Sequence, residues 1–173
     1  MQLRAKTVAN LGMLTALALI LSYVEFLLPA LPSLPGIKLG LANLVILFVL
    51  MKRGAKYAGM VQLSRILISS LLFAGLWSLP YSLSGGLLSL TVMWLLKRTK
   101  LFSVTGLSIA GGVTHNLGQL LIALIFVPGR AIALYAPILI VSGIVCGAIL
   151  GIIVQILLIR LKSTNGNKIA HLS

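Results

Sequence analysis

Acidic side chains are nearly absent from this sequence of 173 residues, in which Glu25 is the only one and aspartate does not occur. A Ser-His-Asp triad cannot form without an aspartate. A magnesium-diphosphate site built on paired carboxylates would likewise lack its metal ligands. The sequence also has no Gly-x-x-x-x-Gly-Lys-Ser/Thr loop, the motif that holds nucleotide phosphates in many ATPases. These absences favour a binding or translocating protein, not an enzyme, and predict no catalytic residues.

Cysteine and histidine are equally scarce. Cys146 is the single cysteine, so an intrachain disulfide is not possible. His115 has no cysteine or acidic residue near it in the sequence, and His171 lies in the polar C-terminal segment. Because structural and catalytic zinc sites need three or four such ligands, the sequence predicts no metal site. We also expect no bound cofactor.

Apolar residues make up 60% of the sequence and charged residues only 9%. A soluble domain of this size cannot bury so much apolar surface, whereas apolar runs of about 20 residues can cross a membrane as helices. The sequence therefore predicts an all-α integral membrane protein, one domain over residues 1–173, with six transmembrane helices and a loose polar tail from about Lys162. The predicted helices cover residues 7–28, 37–51, 55–76, 81–96, 103–127 and 133–161.

The basic residues lie mainly in the breaks between the apolar runs. Eleven of them fall on one side of the predicted membrane, and only Lys38 and Arg130 fall on the other. Cytoplasmic loops carry the excess of lysine and arginine, so this distribution predicts a plasma-membrane protein with both termini in the cytoplasm. The eleven residues are Arg4, Lys6, Lys52, Arg53, Lys56, Lys97, Arg98, Lys100, Arg160, Lys162 and Lys168.

One charge lies inside an apolar run. Arg65 falls near the middle of the third predicted helix, where a charge costs at least ~2.5 kcal/mol to insert. Gln62, Arg65 and Ser69 share one helical face, and that face must point into the bundle. Arg65 could bind an anionic group of a ligand, or it could be held structurally by backbone carbonyls or by Glu25, the only possible carboxylate partner.

The fifth predicted helix concentrates polar side chains, with His115, Asn116 and Gln119 close together. They could line a pocket, or they could form the interhelical hydrogen bonds that hold membrane bundles together. We favour the pocket, because three large polar side chains within five residues exceed what packing requires. Gly111 shares a face with His115 and is expected to leave space above the imidazole.

Further polar residues lie at the predicted outer ends of the helices. Lys38 and Asn43 follow a proline-rich turn that is suited to forming a lid, and Tyr81 and Ser84 precede a pair of glycines. Each could instead be an interfacial or loop residue without a ligand. Taken together, the sequence predicts a substrate site that draws on Glu25, Lys38, Asn43, Arg65, Tyr81, Ser84, His115, Asn116 and Gln119.

Small residues recur at helical spacing in two places. Gly143, Gly147 and Gly151 are four residues apart in the sixth predicted helix, the small-xxx-small pattern typical of close helix packing. In the first predicted helix, a stripe of small residues could pack inside the bundle or contact another membrane protein. That stripe, a predicted partner interface, consists of Ala9, Gly12 and Ala16.

Two motifs resemble a known family. Pro-Gly-Ile-Lys-Leu-Gly-Leu-Ala-Asn at residues 35–43 and His-Asn-Leu-Gly-Gln at residues 115–119 resemble the Gx transporter family, historically labelled heptaprenyl diphosphate synthase component I. The resemblance covers essentially the whole chain. That family is in turn similar to the substrate-binding S components of energy-coupling factor (ECF) transporters. The resemblance implies a six-helix bundle with an outward-facing pocket that the loop between the first two helices closes.

The same resemblance implies partners and a substrate class. S components work with a transmembrane coupling subunit and two cytoplasmic ATPases, and they contact the coupling subunit through small residues of the first helix. Their substrates are vitamins, vitamin precursors or metal ions. The His-rich N-terminal segment of the nickel and cobalt types is missing here, so a small organic solute is expected. The alternatives are a non-catalytic membrane subunit of isoprenoid or quinone metabolism or of a membrane redox system, and a solitary proton-coupled carrier.

Overall fold

The computed structural model describes residues 2–27, 40–126 and 136–170, with side-chain surroundings for 5–27, 40–126 and 136–162. These residues are all-helical. Helices α1 (Gln2–Leu27), α2 (Leu41–Arg53) and α3 (Ala55–Ser69) are followed by a π-helical segment (Ser70–Ala74), and then by α4 (Ser78–Thr99), α5 (Val104–Phe126) and α6 (Ala136–Ala170). Within these residues, five helices have the length and hydropathy to cross a membrane, all except α2. The predicted helical membrane protein is confirmed at that level.

The shortest helix occupies the centre of the fold. Helix α2 has 13 residues, which corresponds to about 20 Å and is less than the ~30 Å of a hydrocarbon core. It contacts all five other helices. A helix that is apolar on every side is stable only when it is surrounded. Its buried side chains belong to Ala42, Val45, Ile46, Leu47, Val49 and Leu50.

The other helices form an arc around α2 in the order α1, α3, α4, α5, α6, in which each contacts the next. The contact between α5 and α6 depends on the predicted glycine row. A Cβ atom added at Gly143 would lie 2.8 Å from Cα of Val113, and one added at Gly147 would lie 2.7 Å from Cα of Ile109. Real Cβ atoms essentially never come this close, so only glycine permits the approach. The predicted small-residue packing of the sixth helix is confirmed.

Two helix boundaries differ from the prediction at glycines with positive φ. Helix α2 begins at Leu41 instead of near Ile37, because Gly40 has φ 71°, a left-handed conformation that interrupts a right-handed helix. Residues 37–39 lie outside the described part of the chain. The third predicted helix continues beyond Ser69 as the π-helical segment, and Gly75 with φ 79° ends it.

The C-terminal segment also differs from the prediction. Residues from Lys162 were expected to be loose, but α6 continues to Ala170. Adding residues to an existing helix avoids the cost of nucleation and gains one backbone hydrogen bond for each residue that is fixed. This gain applies to polar residues as well, so the end of the apolar run does not have to be the end of the helix.

Candidate functional site

A polar cavity of about 100 Å³ lies between the last turns of α1, the first turn of α2, the π-helical segment and the facing sides of α3, α4 and α5. A water molecule needs about 10–15 Å³ of such space, so the cavity has room for several waters or for the polar part of a solute. We refer to it as the polar cavity. It brings together five of the predicted substrate-binding residues, namely Glu25, Asn43, Arg65, His115 and Gln119.

Arg65 lines this cavity with a guanidinium that is almost fully buried, since the residue is only 9% exposed. The predicted inward orientation of the face of Gln62, Arg65 and Ser69 is confirmed, because all three are buried. Nη1 of Arg65 donates a hydrogen bond to Oγ of Ser22 at 3.2 Å. Nη2 donates to Oε1 of Gln62 at 3.1 Å. The first of these bonds joins α3 to α1 across the cavity wall.

The remaining nitrogen of the same guanidinium, Nε, makes no such hydrogen bond within the described part of the chain. Nε of Arg65 is buried and has no hydrogen-bond partner among the described residues. A buried donor without a partner costs about 1–3 kcal/mol, and more when the group is charged. Arg65 therefore places an electropositive group in the wall of the cavity, which suits a carboxylate or another oxygen acceptor.

Glu25 joins the two helices that flank residues 28–39. Its Oε1 accepts a hydrogen bond from the backbone N–H of Gly40 at 2.5 Å, where α2 begins. The first N–H groups of a helix have no partner within the helix, and a negative charge is favourable at that end. The carboxylate of α1 thus satisfies the start of α2 at the rim of the polar cavity.

His115 and Gln119 form the wall that α5 contributes. Their Nε2 atoms lie 3.2 Å apart, within hydrogen-bond distance. Helix α4 comes close at this level because Gly85 has no side chain, and a Cβ there would lie 2.7 Å from the carbonyl oxygen of His115. The space expected next to Gly111 is partly filled by Met93, whose Sδ would lie 2.6 Å from a Cβ at that glycine. Gly111 and His115 nevertheless both line a second cavity.

A second, small cavity of about 20 Å³ adjoins the polar cavity and shares Gly40, Asn43 and His115 with it. Asn116 lines the small cavity and is also a link between helices. Its Nδ2 donates to the carbonyl oxygen of Leu139 at 2.8 Å and to Oγ of Ser142 at 3.2 Å. The structure therefore gives Asn116 the interhelical role that the sequence left open as an alternative.

Two of the residue types that commonly bind metals line the small cavity, since His115 and Cys146 are both in its wall. A transition-metal site in a protein usually has at least three protein ligands. Among the described residues, no group of three histidine, cysteine, aspartate or glutamate side chains is placed to hold a metal ion.

Two predicted substrate-binding residues, Tyr81 and Ser84, line neither cavity. Oγ of Ser84 donates to the carbonyl oxygen of Gly118 at 2.8 Å, which joins α4 to α5. The ring of Tyr81 packs near that of Phe126, with centroids 6.4 Å apart. Lys38 lies outside the described residues.

The cavity also has lining residues that the sequence analysis did not include. Ser22 and Phe26 come from α1, Phe73 from the π-helical segment and Ser82 from α4. Ser22 lies three residues before Glu25, on the same helical face, so the position of Glu25 was a usable signal for it. No comparable signal exists for Phe73, because its position depends on the π-helical turn.

The predicted partner interface lies on the outside of the bundle. Ala9, Gly12 and Ala16 are all exposed, and a Cβ added at Gly12 would meet no atom within 4 Å. Gly12 and Ala16 line a groove of about 460 Å³ between α1 and α3, which we call the α1–α3 groove. Of the two alternatives for this stripe, packing inside the bundle does not occur.

Comparison with known proteins gives one match. The model of a protein family described as heptaprenyl diphosphate synthase component I matches residues 14–157. The match includes both cavities and the residues that line them. Searches of the curated proteins and of the solved structures found no significant match.

Proposed function

The chain belongs to the heptaprenyl diphosphate synthase component I family, and we propose that it binds a small organic solute in the polar cavity as the substrate-binding component of an ECF-type importer. In this proposal the protein is not an enzyme. It lies in the plasma membrane with all six helices, and both termini are cytoplasmic. The partners are a transmembrane coupling subunit and cytoplasmic ATPases.

The observation that carries the proposal is the buried guanidinium of Arg65 beside an open polar cavity. Two of its nitrogens are bonded to Ser22 and Gln62, while Nε has no partner among the described residues. A guanidinium needed only for structure would be expected to have all its donors satisfied. An acidic or carbonyl-bearing solute in the cavity would be attracted by this guanidinium, and a small shift of the Arg65 side chain would let the solute accept a hydrogen bond from it.

The charge distribution supports an outward-facing site. The polar cavity lies at the end of α1 that carries Glu25 and at the start of α2, near Gly40. The opposite end of α2 carries Lys52 and Arg53 in its last turn. If the basic end is cytoplasmic, as the positive-inside rule requires, the cavity faces the outside.

The exposed stripe of small residues on α1 supports the proposal that partner subunits bind this chain. Exposed glycine and alanine at helical spacing let another transmembrane helix come close. Ala9, Gly12 and Ala16 present such a surface beside the α1–α3 groove. Copurification tests this part. Recovery of a membrane subunit together with ATP-binding subunits is the expected result, and stable association with only a soluble prenyl synthase would contradict it.

The family description favours a second candidate. A component of heptaprenyl diphosphate synthase could be a non-catalytic membrane subunit of isoprenoid or quinone metabolism, or could serve a membrane redox system. With a single acidic residue in the whole sequence, the chain lacks the paired carboxylates of a magnesium-diphosphate site.

A solitary proton-coupled carrier is a third candidate. Such a carrier would transport the solute in liposomes without any partner protein, and Glu25→Gln would abolish that transport.

The decisive experiment is mass spectrometry of the small molecule that copurifies with the chain, compared between the natural protein and Arg65→Gln. We expect the variant to insert and fold, because glutamine replaces a charge that is costly to place in the membrane. The amount of the molecule that it retains should fall at least about tenfold. Arg98→Gln, which removes an exposed arginine stacked on Trp94, is the matched control and should retain the normal amount. Equal retention by both variants would contradict the proposed site.

A further inference from the structure

The two grooves beside α1 have different chemistry. The α1–α3 groove contains small and apolar residues and no basic residue among its lining side chains. A second groove of about 550 Å³ lies between α1 and α2, and we call it the α1–α2 groove. Its floor is apolar and includes Met13, Leu17 and Phe48, while Asn10, Lys52 and Arg53 lie in its wall. Along α1 it extends from residue 10 to residue 17, about 10 Å.

The basic residues of this groove are not needed to cap α2. The last carbonyl groups of a helix need external donors, and Lys97 of α4 supplies them. Its Nζ donates to the carbonyl oxygen of Leu50 at 2.6 Å and to that of Met51 at 3.4 Å. The backbone N–H of Gly54 donates to Leu50 as well, at 3.2 Å.

Lys52 and Arg53 are therefore available for another anion. Both are exposed, and among the described residues neither has a hydrogen-bond or ion-pair partner. Glu25, the only acidic side chain of the sequence, lies at the other end of the bundle. No side chain of the protein can therefore neutralise these two cations, and an anionic group of another molecule can bind them.

We propose that the α1–α2 groove binds one anionic phospholipid of the bilayer. The phosphate lies at Lys52 and Arg53, where the guanidinium can hold two of its oxygens, and the Asn10 amide offers a further donor. The first part of an acyl chain lies on the apolar floor along Met13 and Leu17. This site is separate from the polar cavity and does not depend on the transport proposal. It would fix the exposed helix α1 against α2 through the lipid.

The test is a titration of the full-length chain in detergent with phosphatidylglycerol or phosphatidylcholine, with bound lipid counted by native mass spectrometry. We expect one phosphatidylglycerol to bind on the order of tenfold more tightly than phosphatidylcholine, because each basic residue near an anionic headgroup adds to affinity. The double variant Lys52→Gln/Arg53→Gln should lose this preference.

The matched control is Lys56→Gln/Lys100→Gln, which removes two exposed charges outside the groove lining. It should keep the preference for phosphatidylglycerol within about twofold. Equal loss in both double variants would show attraction by net charge alone and would overturn the site. A preference that survives in Lys52→Gln/Arg53→Gln would also overturn it.

A third variant tests the apolar part of the groove without a change of charge. Met13 is 72% exposed, so Met13→Trp can fill the groove without disturbing the core. We expect it to weaken phosphatidylglycerol binding about threefold or more, since the acyl chain loses its contact surface. Unchanged binding would place the lipid elsewhere and would contradict the proposal. Circular dichroism of each variant confirms that the helices are intact.

Discussion

The two sides of this bundle are joined by different interactions. Helices α4, α5 and α6 meet backbone to backbone at glycines, as at Gly118, where a Cβ would lie 2.7 Å from Cα of Gly85. On the other side, α1 packs against α2 and α3 through apolar side chains such as that of Ala18, and at the cavity polar groups join it to them. The bonds from Arg65 to Ser22 and from Gly40 to Glu25 are the examples.

This difference explains where the polar cavity lies. Helices in backbone contact leave no room for a ligand, whereas helices that are linked through long side chains are held apart, and a space remains between them. Only 6% of the most apolar window of α1 is buried, compared with 28% for α5 and 33% for α6. The tightly packed side therefore acts as a scaffold, and α1 is the element that can be displaced most easily.

The largest loss of stability is expected when a methyl group is added to a glycine on the scaffold side. In Gly118→Ala the new Cβ would lie 2.7 Å from Cα of Gly85 and 2.8 Å from the carbonyl oxygen of Ser84. Both atoms belong to backbone, so α4 and α5 must separate. Overpacking of this kind costs about 1–3 kcal/mol, and we expect a value near the upper end. Chemical denaturation in detergent measures the free energy of unfolding.

The matched control for this change is Gly12→Ala on α1. A Cβ at Gly12 meets no atom within 4 Å, and alanine is about 0.8–1 kcal/mol more favourable than glycine inside a helix. The same substitution should therefore stabilise slightly on one side and destabilise strongly on the other. Similar losses at the two positions would show that the sides do not differ in packing.

The sequence indicated part of the scaffold side and part of the cavity side. The glycine row of α6 and the buried face of Arg65 follow from helical spacing and from the cost of a charge in hydrocarbon. Ser84 was instead assigned to the substrate site, although its hydroxyl bonds to Gly118. A transmembrane helix is apolar both on the side that faces lipid and on the side that faces the bundle. The hydropathy pattern therefore does not indicate whether a moderately polar residue such as Ser84 faces a cavity or a neighbouring helix.

The start of α2 is a second feature that the local sequence does not determine. The apolar run begins near Ile37, and hydropathy alone places the helix start there. The structure starts the helix at Leu41, after Gly40 in the left-handed conformation. Glycine can adopt either hand, so the residue type permits this break but does not require it. The hydrogen bond from Gly40 to Glu25 depends on how α1 packs, which the local sequence does not contain.

An intermediate effect is expected when the polar link between α1 and α3 is removed. Ser22→Ala leaves Nη1 of Arg65 without the acceptor it now has at 3.2 Å. A charged, buried donor that loses its acceptor costs about 1–3 kcal/mol. Because the loss is local, hydrogen exchange should accelerate in the last turns of α1, while the exchange of α5 and α6 stays as in the natural protein.

Ser84→Ala is the matched control on the scaffold side. It removes a hydroxyl that donates to the carbonyl oxygen of Gly118 at 2.8 Å, but the glycine contacts around it remain. We expect a loss of about 0.5 kcal/mol, at the lower end for a neutral hydrogen bond. If Ser84→Ala destabilises as much as Ser22→Ala, polar links matter equally on both sides, and the division into scaffold and movable helix fails.

The last prediction concerns the hydrogen bond that links α1 to α2, where a local loss of stability is expected when the charge of Glu25 is removed. Glu25→Gln keeps an oxygen that can accept from the N–H of Gly40 but removes the charge, and a charge-assisted hydrogen bond is roughly twice as strong as a neutral one. The amide of Gly40 should exchange about two- to fivefold faster, which corresponds to a loss of about 0.5–1 kcal/mol. Amide exchange followed by NMR reports on this bond directly. Glu25→Ala should increase the rate further, because it removes the acceptor completely. An unchanged rate in both variants would mean that the Glu25 carboxylate does not hold the start of α2 against α1.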